Sequence, residues 1–263
     1  MWLWFATALA AAPPGLDLDD PTPWSEAAQQ LFDGPAGCWE VVGKATWNHE
    51  AGRFGHTRGS VVFAGRLEDH VWSPLVIEPL GEVLQDGPRD TEHRVYKHEQ
   101  RFEPLLGKHR HDRDEDEQGK GDEPSDKAPQ NVVQAVLEHL QGNATYAWVE
   151  WDDDQQAVVL TETVPVGKRP KAPEIQVVVR FPGGKKLPER ADLKFPDRFL
   201  ANRMPPAYVL GGQVQLRGVV RDGRVFPSAE AYSAELRALG FAFHSAQTIH
   251  YTSLRPCPAE GPS

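Results

Sequence analysis

The sequence predicts an α+β fold that is mostly β: a curled antiparallel sheet or partly open barrel with about three short helices. Three observations predict it. Runs rich in Val, Ile, Thr, Phe, Tyr and Trp recur between Gly, Pro, Asn and Asp clusters, the pattern of strands separated by turns. Their spacing suggests about eight to ten strands. Only three stretches carry apolar residues at helical spacing. Of the two cysteines, Cys38 opens the first strand and Cys257 follows the last, which suits a sheet whose first and last strands are neighbours.

The chain is organised around the stretch Gly37 to Trp72, an antiparallel ribbon. Trp39, Val41, Gly43, Ala45 and Trp47 share one face because strand side chains alternate. Large aromatics with small residues between them mark a face that covers a core. The turn between the strands carries His49, Arg53, His56 and Arg58. An anion or metal site is one reading, and a solvated loop is the reading its charge favours. Ahead of the ribbon, Thr22 predicts an N-cap and Pro23 a first helical residue. Trp24, Ala27, Ala28 and Leu31 form the apolar stripe, Gly34-Pro35 stops the helix, and its Trp24 side is expected against the ribbon.

Beyond the ribbon, Leu75 to Ile77 between two prolines reads as an edge strand. Thr91 to Leu106 reads as a further strand, with His98 between Tyr96 and Phe102. Gly107 to Lys127 has no apolar anchor and predicts an exposed, mobile loop, despite His109, His111, Asp112 and Asp114. A second helix is predicted over Pro129 to Gln141. Tyr146 to Trp151 and Ala157 to Val164 predict a hairpin around Asp152, Asp153 and Asp154. A calcium loop of the EF-hand kind is excluded there by Ala157 and Thr163 at the positions that need Gly and Glu. A strand follows over Glu174 to Phe181, then a mixed loop over Phe195 to Pro206. Val209 to Val220 is a strand, and Asp222-Gly223 a hairpin turn. Ser228 to Leu239 predicts the best-marked helix, with Ser228 as cap, Glu230 at its positive end, Tyr232, Leu236 and Leu239 as its stripe, and Gly240 past its end. In the last strand Phe241, Phe243, Ile249 and Tyr251 share one face, and His244 and His250 the other.

The 263 residues divide into an apolar leader over 1–12, a linker over 13–21, one β-rich domain over 22–257 with its loop at 107–128, and a tail over 258–263. Residues 1–12 read as a signal peptide, too short to span a bilayer, and no transmembrane segment is expected. Export would place the protein in the periplasm or outside the cell. Such a compartment permits a Cys38–Cys257 bridge, with two separate thiols as the alternative. The formal net charge of −10 argues against general nucleic-acid binding. No phosphate loop, nucleophile elbow, zinc helix or paired-cysteine motif occurs, and no cofactor is called for. Glu150, Glu162 and Glu174 fall on predicted strands, and nothing selects them.

Gly37-Cys38-Trp39 is similar to the Gly-x-Trp that opens the first strand of lipocalins, a likeness of three residues with no second motif. The expected function is a non-enzymatic exported protein that binds an apolar ligand or an envelope protein in the curled sheet. Trp39, Trp47, Trp148 and Trp151 are the candidate contacts, since small-molecule sites are mostly apolar concavities. Core packing is the plain alternative for those tryptophans. Two other functions stand beside it: an exported, metal-assisted hydrolase drawing on His56, His98, His244 and His250, and a structural or interaction module with the acidic loop as its contact arm.

Overall fold

The computed structural model describes residues 12–50, 56–69, 71–80, 84–86, 108–109, 147–165, 174–196, 199–203, 206–238 and 240–258. The leader over residues 1–11, Arg53, the strand with His98, nearly all of the acidic loop and the helix expected over Pro129 to Gln141 lie outside them. The N-terminal ribbon is β1 (Cys38–Glu50) and β2 (His56–Glu68), followed by β3 (Val71–Pro79), β4 (Leu84–Asp86) and β5 (Lys108–His109). Next come β6 (Trp148–Asp152), β7 (Ala157–Pro165), β8 (Glu174–Pro182), β9 (Arg190–Lys194) and β10 (Phe199–Arg203). The chain ends with three long strands, β11 (Pro206–Arg221), β12 (Arg224–Ala238) and β13 (Phe241–Pro256).

The thirteen strands of the described residues belong to one curled sheet, in the order β5-β3-β2-β1-β13-β12-β11-β9-β8-β7-β6, with β10 beside β11 and β4 beside β2. Every pairing is antiparallel except β3 with β5. The path does not close among the described residues, so this is not the closed eight-stranded barrel of lipocalins. First and last strands do pair: β1 lies along β13 from Trp39–Pro256 to Glu50–His244. Cys38 and Cys257 are joined by a disulfide across 5.4 Å between Cα atoms, and the Cys257 amide donates to the Cys38 carbonyl at 3.0 Å.

Only one helix occurs among the described residues, where about three were expected. The segment Ser228 to Leu239 is the main correction: through Ala238 it is strand, within β12. Spacing of four suits both periods, so Tyr232 and Leu236 share a face in a helix and in a strand. Pairing decided between them. β12 is paired to β11 on one side and β13 on the other, and those ladders outweigh the local helix propensity of its alanines and glutamates. Phe199–Arg203 is likewise a short strand rather than loop, because it finds an edge along β11. The Asp222-Gly223 turn has φ of 50° and 71°, the left-handed pair that a tight hairpin demands.

Helix α1 (Thr22–Asp33) starts one residue earlier than the capping pattern suggests. Pro21 is its N-cap, and the Asp20 carboxylate instead accepts from the Thr22 amide at 3.0 Å. Those Thr22 hydrogen bonds hold the Asp20 carboxyl below its usual range. The helix does not lay Trp24 on the β1–β2 ribbon. Its buried Trp24, Ala27, Ala28, Leu31 and Phe32 join Leu160, Val177, Phe181, Leu193 and Leu216 of β7, β8, β9 and β11. Trp24 meets Phe181 edge-on at 5.1 Å. That half of the sheet offers an unbroken aliphatic surface, whereas the ribbon fills its own inner face with Trp47, Phe63 and Leu67.

Two expected outcomes test this core. Replacing both cysteines by Ala should lower unfolding free energy by about 2–5 kcal/mol in urea titrations. Gly43→Ala should cost about 1–3 kcal/mol, because its methyl would overlap the Phe63 ring and stand 2.8 Å from the His250 carbonyl oxygen.

Candidate functional site

The curl gives the sheet an inner and an outer face, and register shows which residues share each. One inner row runs Gly59, Trp47, Gln247, Tyr232, Val214, Leu193, Val177 and Glu162 across eight strands. The next runs Val61, Ala45, Ile249, Glu230, Leu216, Ala191, Val179 and Leu160. These rows are apolar apart from a few groups. A helix of twelve residues is about 18 Å long, while strands of fifteen or sixteen residues reach about 50 Å. Helix α1 therefore covers only part of this face. Towards the β12–β13 turn the face continues in Leu236, Phe243 and Phe241, all half-buried.

The four tryptophans do not form one cluster. Trp39 and Trp47 lie on the inner face of β1. Trp39 donates to the Ala36 carbonyl at 2.8 Å and meets Phe226 edge-on at 4.9 Å. Trp47 is buried with its ring over Gly59, where no Cβ intervenes. Its indole N–H is buried without a hydrogen-bond partner among the described residues. β6 is separated from β1 by six strands in the sheet order. Trp151 on β6 turns inward against the core, donating to Asp153 at 2.9 Å, while Trp148 is 66% exposed on the outer side.

Polar groups punctuate the inner face in a way that sequence reasoning missed. Glu162 and Glu230 are both buried. The Tyr251 hydroxyl donates to Glu230 Oε1. Ser245 Oγ lies 2.8 Å from His49 Nδ1 and is also hydrogen-bonded to Tyr232. A Ser–His contact invites comparison with acyl-transfer sites, but here Ser245 sits mid-sheet, paired to β1 and β12 at once. Its backbone lies within the ladders to both neighbours, unlike a nucleophile on an exposed turn. The signal for Glu230 was obscured by its reading as a helix-start residue.

Of the histidines of the hydrolase reading, His56, His244 and His250 lie on the outer face, and His98 is outside the described residues. His56, Glu50, His244 and Glu235 stand side by side across four strands, with His56 bonded to the Asn48 side chain. His250 is six residues further along β13 and exposed. Among the described residues, no group of three or more His, Cys, Asp or Glu is arranged to hold a metal ion. A shallow depression of about 600 Å³ lies at this end of the ribbon, lined by Trp47, Asn48, His56 and Gly59 among others.

Burial raises the Tyr251 hydroxyl well above the usual 10.0, and the adjacent Glu230 carboxylate adds to the rise. Burial raises Tyr232 too, opposed by its Ser245 hydrogen bond. Above pH 10 the unfolded chain releases these protons more readily than the folded one. The unfolded state then binds fewer protons, and stability falls as pH rises. Tyr251→Phe should flatten that alkaline limb in unfolding measurements across pH 9 to 12, and should cost about 1–3 kcal/mol at neutral pH through the lost donor to Glu230.

No protein-family model and no curated protein sequence matches the chain. Among solved structures it is similar to the LolA superfamily protein NE2245 from Nitrosomonas europaea, at 8% identity and a TM-score of 0.37, over 92% of this chain and 95% of that one. It is also similar to a chain from a structure of lipid–protein interactions in lipovitellin, at 8% identity and a TM-score of 0.31, over 87% of this chain and 26% of that one. At this degree of superposition, neither likeness carries a functional conclusion.

Proposed function

We propose that the protein is an exported, non-enzymatic carrier that holds an apolar ligand against the inner face of its curled sheet. One observation carries this reading. The inner face is apolar over more of its extent than α1 covers, and half-buried Phe241, Phe243 and Leu236 continue it past the helix. A concave apolar wall with a few placed polar groups is the usual make-up of a small-molecule site. Gln247, Ser245 and Tyr232 are such groups here. Trp39, Trp47 and Trp151 are the proposed aromatic contacts, and Trp148 faces away from this surface. The Cys38–Cys257 disulfide supports an oxidising compartment, periplasmic or extracellular. No helix among the described residues is long and apolar enough to cross a membrane.

The test is native mass spectrometry of the full chain purified from its host's envelope, joined to uptake of the neutral fluorescent probe N-phenylnaphthylamine. A retained lipid-sized mass is expected, and Phe243→Asp should weaken probe uptake about tenfold or more, as a charge set into an apolar wall does. A bare chain that takes up no probe would overturn the carrier reading. A retained metal ion would bring the hydrolase reading forward.

A further inference from the structure

The outer face carries a feature that neither the inner face nor the disulfide explains. Three adjacent cross-strand rows span seven strands from β2 to β8. The first row is Val62, Lys44, His250, Ala229, Arg217, Arg190 and Arg180. The second holds Asp192, and the third holds Arg58 and Lys194. Within these three rows six lysines and arginines stand with one carboxylate, Asp192, in a chain whose formal net charge is −10, and Glu78 on β3, Glu150 on β6 and the Glu50–Glu235 row border the field. Strand and residue spacing make the field about 29 Å by about 13 Å.

Only part of this charge is neutralised among the described residues. Among the described residues Asp192 engages Arg180 and Arg190, the latter at 2.8 Å. Lys44, Arg58, Lys194 and Arg217 are exposed and have no carboxylate within salt-bridge distance among the described residues. Arg180 and Arg190 share Asp192 as a counter-ion, whereas Arg217 stands directly opposite Arg190 as a like charge, an arrangement that weakens a sheet. Between them stand short neutral side chains, such as Thr46, Thr248, Ala231 and Ser233, that leave the cationic tips standing proud. The field contains no Phe, Tyr, Trp, Leu, Ile or Met. Protein–protein hot spots combine Arg with buried Trp and Tyr anchors, and the field has the arginines without the aromatics, whereas a charged bilayer surface needs no aromatic anchor.

We propose that this face docks the protein on an anionic membrane, with the arginines and lysines taking headgroup phosphates. The field lies on the sheet face opposite the proposed ligand surface, so docking there would not occupy that surface.

The experiment is co-sedimentation of the full chain with vesicles of phosphatidylcholine alone and of phosphatidylcholine mixed with phosphatidylglycerol, at low and high salt. Partition to the anionic vesicles only, lost at high salt, is the expected result. Lys44→Gln and Arg217→Gln should each weaken it about fivefold, and Arg66→Gln, outside the field beside Glu40, should not. Equal partition to neutral vesicles, no partition to either, or full binding by the Lys44→Gln/Arg217→Gln double variant would overturn the proposal. So would retention of an acidic protein or duplex DNA without vesicle binding. Probe uptake reads the inner face separately, so a failure of docking and a failure of the carrier reading are distinguishable.

Discussion

Pairing of the first strand with the last is the constraint on which the rest of the structure depends. β1 and β13 meet over twelve aligned residue pairs, although more than two hundred residues separate Cys38 from Cys257 in the chain. Without that ladder the ribbon side, β5-β3-β2-β1, and the larger side, β13 to β6, would be two sheets with four edges. With it, Tyr251 on β13 packs against both hydrophobic clusters and makes the inner face continuous. The closure is long-range, so most of its entropic cost falls before its contacts form. A covalent bridge at the end of this seam is where a crosslink restricts the unfolded chain most.

The two halves of the inner face are completed differently. Around α1 the sheet is aliphatic, and a helix stripe of Trp, Ala, Leu and Phe fills it. Across the ribbon, aromatic rings lie over glycines: Phe63 over Gly43 and Trp47 over Gly59. Those glycines admit the rings by lacking a side chain, and a bulge between Val42 and Gly43 adjusts the register beside them. A helix could not be seated on this part without displacing the rings. The apolar surface past α1 therefore follows from how the ribbon packs on itself.

Two faces of one sheet thus carry different chemistry. Alternation along each strand assigns apolar residues and two buried glutamates to the inside, and assigns the unpaired lysines and arginines to the outside. Neither property belongs to any single strand. Each cation of the outer field comes from a different strand except Arg190 with Lys194, and each is bordered in its own sequence by inward-facing neighbours that dilute its charge.

The turns at Gly183-Gly184 and Asp222-Gly223, the ribbon's face assignment, α1, the β6–β7 hairpin and the faces of the last strand were legible in the sequence, whereas the ribbon turn expected over Asn48 to Gly59 is strand through Glu50 and again from His56. Each rests on local chemistry: left-handed φ at Asp222-Gly223, proline at the helix start, alternation at spacing two. The disulfide partners were legible only as candidates, since a spacing in sequence says nothing of a distance between Cα atoms. Tertiary structure alone decided β12, because the spacing of Tyr232 and Leu236 satisfies helix and strand equally and only ladders on both edges distinguish them. It also decided that Trp151 turns inward while Trp148 turns outward, that Ser245 meets His49, and that Arg180, Arg190 and Arg217 stand in one row. These are neighbours across strands, tens to hundreds of residues apart in the chain, and the register that brings them together is set by which faces bury the most apolar surface.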